Sequence, residues 1–222
     1  MTGLKSVPSI SEFIRVQRDI DLLEYTGGNL HFTGISTSES VELIRKAKKK
    51  GLCVTADVHV INLVYTEVEN LGFDSNMKVF PPLRTEKDRL DLIAGIKDGT
   101  IDAVCSNHQP QNIESKDLEF DLAEFGMIGI QTLFSLLNQV SELDLNTKIK
   151  AISSNPRAIF GLKEIEIKEG ALANLTLFDP TSEYMLDEGD LYSKSHNSPL
   201  LGKKLVGKPV GTINNGLLTL HN

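Results

Sequence analysis

Residues 29–60 read NLHFTGISTSESVELIRKAKKKGLCVTADVHV, and the order of elements in this stretch decides the fold. Asn29–Thr33 is short and strand-like. Ser36-Thr37-Ser38-Glu39 has the spacing of a capping box, a hydroxyl to cap a helix start and a glutamate three residues on to reach back. Val41, Ile44 and Ala47 then mark one helical face, Gly51 ends the helix, and Leu52–Val60 is a second strand. The pattern repeats downstream. An irregular stretch runs through Phe73-Asp74 to Pro81-Pro82, where two prolines exclude regular pairing. Thr85 caps a helix that continues through Ile96, Gly99 ends it, and Ile101–Cys105 is a third strand. Upstream, Ile10, Phe13, Ile14, Ile20 and Leu23 place a helix over Ile10–Tyr25, stopped by Gly27-Gly28. Strand, helix, strand, helix, strand is the signature of right-handed crossovers on a parallel sheet, which an open sheet or a barrel can contain.

Past the third strand the spacing predicts an apolar helix over Met127–Val140 and another over Asp144–Ser153. A third starts at Asn155-Pro156, with proline at its first helical position and Gly161 just past its end. From Ile165 the texture changes to short strands, Ile165–Ile167, Leu175–Phe178, Lys204–Val206 and Leu217–Leu220, divided by Gly, Pro and Asn turns. The chain therefore divides into an α/β unit over 1–163 and a small β module over 164–222.

With 222 residues, 40% hydrophobic and 24% charged, the chain can bury a substantial core. It has no apolar run long enough for a membrane span and no apolar signal core after Met1, so the expected location is cytoplasmic. A formal net charge of −7 argues against nucleic acid as a partner. The basic run Arg45–Lys50 reads as a solvated helix face. Cys53 and Cys105 lack close cysteine or histidine companions and read as small core residues.

In parallel α/β folds the chemistry collects at the carboxyl ends of the strands. Three such ends are visible: His31–Thr37, Asp57-Val58-His59, and Ser106-Asn107-His108. Three histidines near three strand ends are of the type that binds zinc, but a lone strand histidine is more often structural.

The residues Leu30–Thr37, Val54–Val58, Pro81-Pro82-Leu83-Arg84, Asp98–Ala103, Ser106-Asn107-His108 and Phe125–Gly129 occur in the order and spacing of dihydroorotases, of the amidohydrolase superfamily. Gly170–Asp179 and Ser195–Pro199 also resemble that family's C-terminal β module. The resemblance covers essentially the whole chain. It implies an α/β partial TIM barrel, the last three strand–helix units, plus the β module. In the family, zinc ions polarise a carbonyl and activate water, and a carboxylate shuttles the proton, in the reversible cyclisation of N-carbamoyl-aspartate to dihydroorotate in pyrimidine biosynthesis.

By the same resemblance, four chemical positions have changed. The histidine ligand before Ile35-Ser36-Thr37 is Gly34, which offers no donor. The metal-contacting, proton-shuttling aspartate is Asn107, an amide that cannot accept and return a proton near neutral pH. The substrate asparagine before Pro81 is Phe80, and the substrate histidine after Pro110 is Gln111. Only the backbone contacts of Phe125-Gly126 fit the pattern. The family's early metal ligands, on its first and middle strands, have no counterpart in these residues. The expectation is a chain without its own zinc cofactor or independent catalysis. It would pair with itself, with a complementary N-terminal half, or with aspartate transcarbamoylase as a non-catalytic scaffold subunit. The alternative is a fragment of an active metal-dependent cyclic amidohydrolase.

Overall fold

The computed structural model describes residues 7–221. Helix α1 (Ser9–Thr26) leads into β1 (Leu30–Phe32), α2 (Ser38–Lys49), β2 (Val54–His59) and the short α3 (Ile61–Val64). Then follow α4 (Glu86–Lys97), β3 (Ala103–Cys105) and α5 (Ile113–Lys116). Strands β1, β2 and β3 form a parallel sheet in that order, with β1 and β3 at its edges. The sheet does not close on itself, and its three-stranded arc matches the partial barrel expected from the sequence.

The pleat sorts the sheet into two chemically different faces. Phe32, Val54, Ala56, Val58 and Val104 point to one side and join the core beneath α1, α2 and α4. His31, Thr55, Asp57, His59 and Cys105 occupy the other, because His31 pairs with Thr55 and His59 with Cys105 in register. That second face is the concave side of the arc.

Cap chemistry fixes the helix starts, though not always as the sequence suggested. Thr85 caps α4 in a full capping box with Asp88, whose carboxylate also accepts from the Ser38 N–H at 2.8 Å. For α2 the cap is Thr37, one residue later than expected, and Glu39 does not reach back. Instead Glu12 of α1 accepts from both the N–H and the hydroxyl of Ser36 and of Thr37, so the first helix caps the second across the fold. The basic run on α2 is also more engaged than a solvated face: Arg45 pairs with Glu42 and Asp98, and Lys48 with Asp102.

The predicted helix over Met127–Val140 is only α6, Leu133–Gln139. Met127 instead forms a parallel bridge with His108, and Gly129 lies so close to the chain that a Cβ there would meet the Ser106 carbonyl oxygen at 2.6 Å. Met127 and Ile128 are buried beside the sheet edge rather than on a helix face, while Ile130 is exposed. Helices α7 (Leu145–Ile152) and α8 (Ser154–Ile159) follow, and α8 places Pro156 at its third position rather than its first.

An antiparallel sheet ends the chain: β4 (Leu175–Met185), β5 (Lys204–Asn214) and β6 (Leu217–Leu220). Ile165–Ile167, predicted as a strand, is irregular; Ile167 is exposed and pairs with no strand among the described residues. The sheet docks on α6, where the Ser135 hydroxyl donates to the Gly207 carbonyl at 2.7 Å and Asn138 donates to the Pro180 carbonyl at 2.8 Å. Leu186, Leu200 and Leu205 carry the core continuously across this contact. Of the two cysteines, Cys53 is exposed just before β2, and Cys105 is half-buried on the concave face.

The loop after β3 is held by a buried amine. Lys116 donates from Nζ to the carbonyls of Glu124 (2.8 Å) and Gly126 (3.0 Å), and burial pulls its pKa down to about 8. The native state therefore binds fewer protons than the unfolded chain between about 8 and the ordinary 10.5, and the stability contributed by this site rises with pH across that window. Accordingly, the stability of the wild type relative to Lys116→Met should increase from pH 8 to pH 10.5; a difference that stays flat or falls would contradict the placement of this amine. Loss of the α4 cap in Thr85→Ala should lower stability by about 1 kcal/mol in urea unfolding, and an unchanged midpoint at unchanged slope would count against the cap.

Candidate functional site

The carboxyl ends of the three parallel strands meet at Asp57. This residue is 8% exposed, and its carboxylate accepts hydrogen bonds from the Gly34 N–H at 2.8 Å and the Thr33 hydroxyl at 3.0 Å. His31 Nε2 lies 3.1 Å from the same carboxylate, and His31 Nδ1 lies 2.8 Å from the Thr55 hydroxyl. On the third strand, Cys105 donates its thiol to Asp57 Oδ1 at 3.5 Å. Burial, reinforced by the negative charge of Asp57, pushes the Cys105 thiol up to about 12.

His59 stands two residues beyond Asp57 on the same face and opposite Cys105. It is 8% exposed, and its Nδ1 is buried with no hydrogen-bond partner among the described residues. Burial holds its pKa below the ordinary histidine value, against the pull of Asp57. The ring fills the space in front of Gly34. A Cβ at Gly34 would lie 2.8 Å from His59 Nε2 and 3.4 Å from Pro81 Cδ, and Gly34 has φ of 69°, where a side chain is already strained.

The other sequence-selected positions form a loop cluster beside this mouth. Asn107, at φ 47°, donates from its amide to the Phe80 carbonyl at 3.0 Å and accepts from Gln109 Nε2 at 2.9 Å. Gln111 donates from Nε2 to the Phe125 carbonyl at 2.9 Å, and its own N–H is held by the Asn197 side chain at 3.1 Å. The Gly126 N–H is spent on the Lys78 carbonyl, and the Gly126 carbonyl on Lys116 and Asn197. Phe80 and Phe125 meet edge to face at 5.7 Å. His108 accepts the Gly129 N–H through Nδ1 at 3.1 Å, a structural role.

All six positions named from the sequence thus lie at or beside the strand ends, but the polar atoms described there are engaged with one another. Sequence reasoning missed the meeting of Asp57 and His59 with Cys105. The i, i+2 spacing of the first two was visible; the register that sets Cys105 opposite His59 was not.

Over residues 8–217 the chain matches the family model described as "Amidohydrolase family". It is 42% identical over 222 residues to a dihydroorotase of Caldicellulosiruptor saccharolyticus, covering 97% of this chain and 51% of that protein. It is 40% identical to a dihydroorotase of Thermoanaerobacter sp. (strain X514), covering 93% of this chain and 49% of the other. The fold is that of the L-hydantoinase (dihydropyrimidinase) from Arthrobacter aurescens, with a TM-score of 0.87 at 23% identity over 96% of this chain and 49% of that one. It also follows the inactive dihydroorotase-like domain of the Chaetomium thermophilum CAD-like multifunctional protein, with a TM-score of 0.68 at 20% identity over 90% of this chain and 53% of that one. The chain spans about half the length of the curated relatives it matches. On this evidence it belongs to the amidohydrolase family, as a dihydroorotase-like member.

Proposed function

We propose that this chain is the C-terminal half-barrel of a dihydroorotase-like protein of pyrimidine biosynthesis and does not itself run the ancestral cyclisation of N-carbamoyl-aspartate. In this reading the half-barrel is 1–163 and the β module 164–222. The observation that carries it is at Gly34. The position that resembles a histidine ligand has no side chain, and His59 stands where one would begin. The zinc centre that the family resemblance implies does not fit these residues. Asn107 points the same way, since its amide is used to join Phe80 and Gln109 and offers no carboxylate for proton transfer. Gln111 and the Phe125 and Gly126 carbonyls, positions that the resemblance gives to substrate, bond within the loop cluster instead.

The same half-barrel leaves surfaces that ask for a partner. Among the described residues one edge of β1 has no paired strand, the concave face is lined by polar side chains, and α1 exposes Ile10, Ile14, Leu22 and Tyr25 opposite its packed side of Val16, Ile20 and Leu23. The occupant this reading assigns to those surfaces is a complementary N-terminal barrel half, the portion of the relatives that this chain does not match. A second reading, a non-catalytic subunit that holds aspartate transcarbamoylase, is favoured by the retained scaffold. Arg84 of the Pro-Pro-Leu-Arg motif does structural work, donating to the Ser36 hydroxyl at 3.1 Å and the Val7 carbonyl at 2.6 Å. Co-elution with that enzyme separates the two.

Cyclisation of N-carbamoyl-aspartate by the purified chain in zinc-containing buffer should stay at background, and Asn107→Asp alone should not raise it. Turnover by either protein would overturn the proposal. Alone in solution, the chain should self-associate above its 24.4 kDa monomer mass, and Ile14→Asp should shift it toward monomer. A monodisperse wild-type monomer would contradict the surface reading.

A further inference from the structure

We infer that Asp57, His59 and Cys105 form a binding site for one divalent ion of the zinc class, made by residues other than the positions that resemble the family's ligands. One carboxylate oxygen of Asp57, one ring nitrogen of His59 and the Cys105 sulfur lie within 4.8 Å of one another. Zinc bonds of about 2.0–2.3 Å in a tetrahedral arrangement put neighbouring ligand atoms roughly 3.3–3.6 Å apart. The Asp57 oxygen and the Cys105 sulfur already stand at 3.5 Å, so small side-chain adjustments suffice.

The backbone builds this convergence. Asp57 and His59 share a face by strand alternation, and Cys105 stands directly across the parallel ladder from His59. A second observation points to a missing ligand. His59 is buried to more than nine-tenths within this cluster, yet its Nδ1 has no partner among the described residues, and an unpaired buried nitrogen is costly. The carboxylate is also held as metal-binding carboxylates are, by outer hydrogen bonds from the Gly34 N–H, Thr33 and His31, with His31 anchored in turn by Thr55.

The donor set selects the ion. Thiolate, imidazole and carboxylate together favour zinc or cobalt over magnesium or calcium, which prefer oxygen alone. Three protein ligands leave a fourth position for water. Binding releases the Cys105 proton to solvent and forms the metal–sulfur bond; no electron is transferred. The site needs the small residue at position 34, because a side chain there would displace His59.

The test uses the full chain in a Cys53→Ser background, to remove the exposed thiol, titrated with Co2+ alone and then Zn2+ alone. Co2+ should bind one per chain with a thiolate-to-cobalt charge-transfer band, and Zn2+ should displace it with loss of the band. Cys105→Ala should abolish the band and weaken Zn2+ binding at least tenfold, while His59→Ala should weaken Zn2+ binding by a similar factor. Far-ultraviolet circular dichroism establishes that each variant is folded. Absence of stoichiometric binding would overturn the site, as would a band that survives Cys105→Ala or an affinity unchanged in both variants. Turnover of N-carbamoyl-aspartate by the ion-loaded chain would overturn the proposed function and leave this site standing, so the two failures are distinguishable.

Discussion

The carboxylate of Asp57 is the constraint on which the strand ends depend. It sits at the carboxyl end of the central strand and gathers hydrogen bonds from Gly34, Thr33, His31 and Cys105, so that a single buried charge ties β1, β2 and β3 at their chemical end. In a low-dielectric setting such a charge is tolerated only when its hydrogen bonds are met by fixed donors. Here the donors come from the end of β1, through Gly34, Thr33 and His31, and from Cys105 of β3, while β2 supplies the carboxylate. The turn after β1, the position of His59 and the face that Cys105 presents are settled together. A change at any of them is felt at the others.

That coupling explains why the mouth of this half-barrel differs as a unit from the one its family resemblance implies. With no side chain at 34, the ring of His59 occupies the vacant space, and the glycine takes a left-handed conformation that a side chain would strain. On the neighbouring loop, Asn107 and Gln111 bond to Phe80 and Phe125 rather than facing outward. Lys116 and Asn197 converge on the Gly126 carbonyl, which leaves the loop cross-braced from within. The result is a strand-end surface whose polar groups largely satisfy each other, except at His59.

Much of the scaffold was legible because local rules and tertiary packing agree there. Gly27, Gly51 and Gly99 stop their helices at positive φ, and Thr85 caps α4 as its sequence suggests. Where the sequence misled, a distant residue had intervened. The α2 cap looked local, but its carboxylate is Glu12, which no spacing rule connects to Ser36. The start of Met127–Val140 looked helical because apolarity alone does not separate a helix from residues such as Met127 and Ile128, buried beside a sheet edge. Cys105 looked like core because its neighbours are apolar in sequence; only the strand register shows that it shares a face with Asp57 and His59. The site was therefore readable as a location and as a set of altered positions, while its internal bonding was not.

The central claim is that the chemistry is missing from this half and not merely waiting for another. The direct measurement is complementation: the chain is mixed with the N-terminal half of the Caldicellulosiruptor saccharolyticus dihydroorotase and zinc, beside that enzyme's own two halves as control, and N-carbamoyl-aspartate cyclisation is followed. The account predicts turnover from the matched halves and background from the mixture, even where light scattering shows that the mixture has assembled. Turnover from an assembled mixture would contradict it, because Gly34 and Asn107 would then be compatible with a working centre.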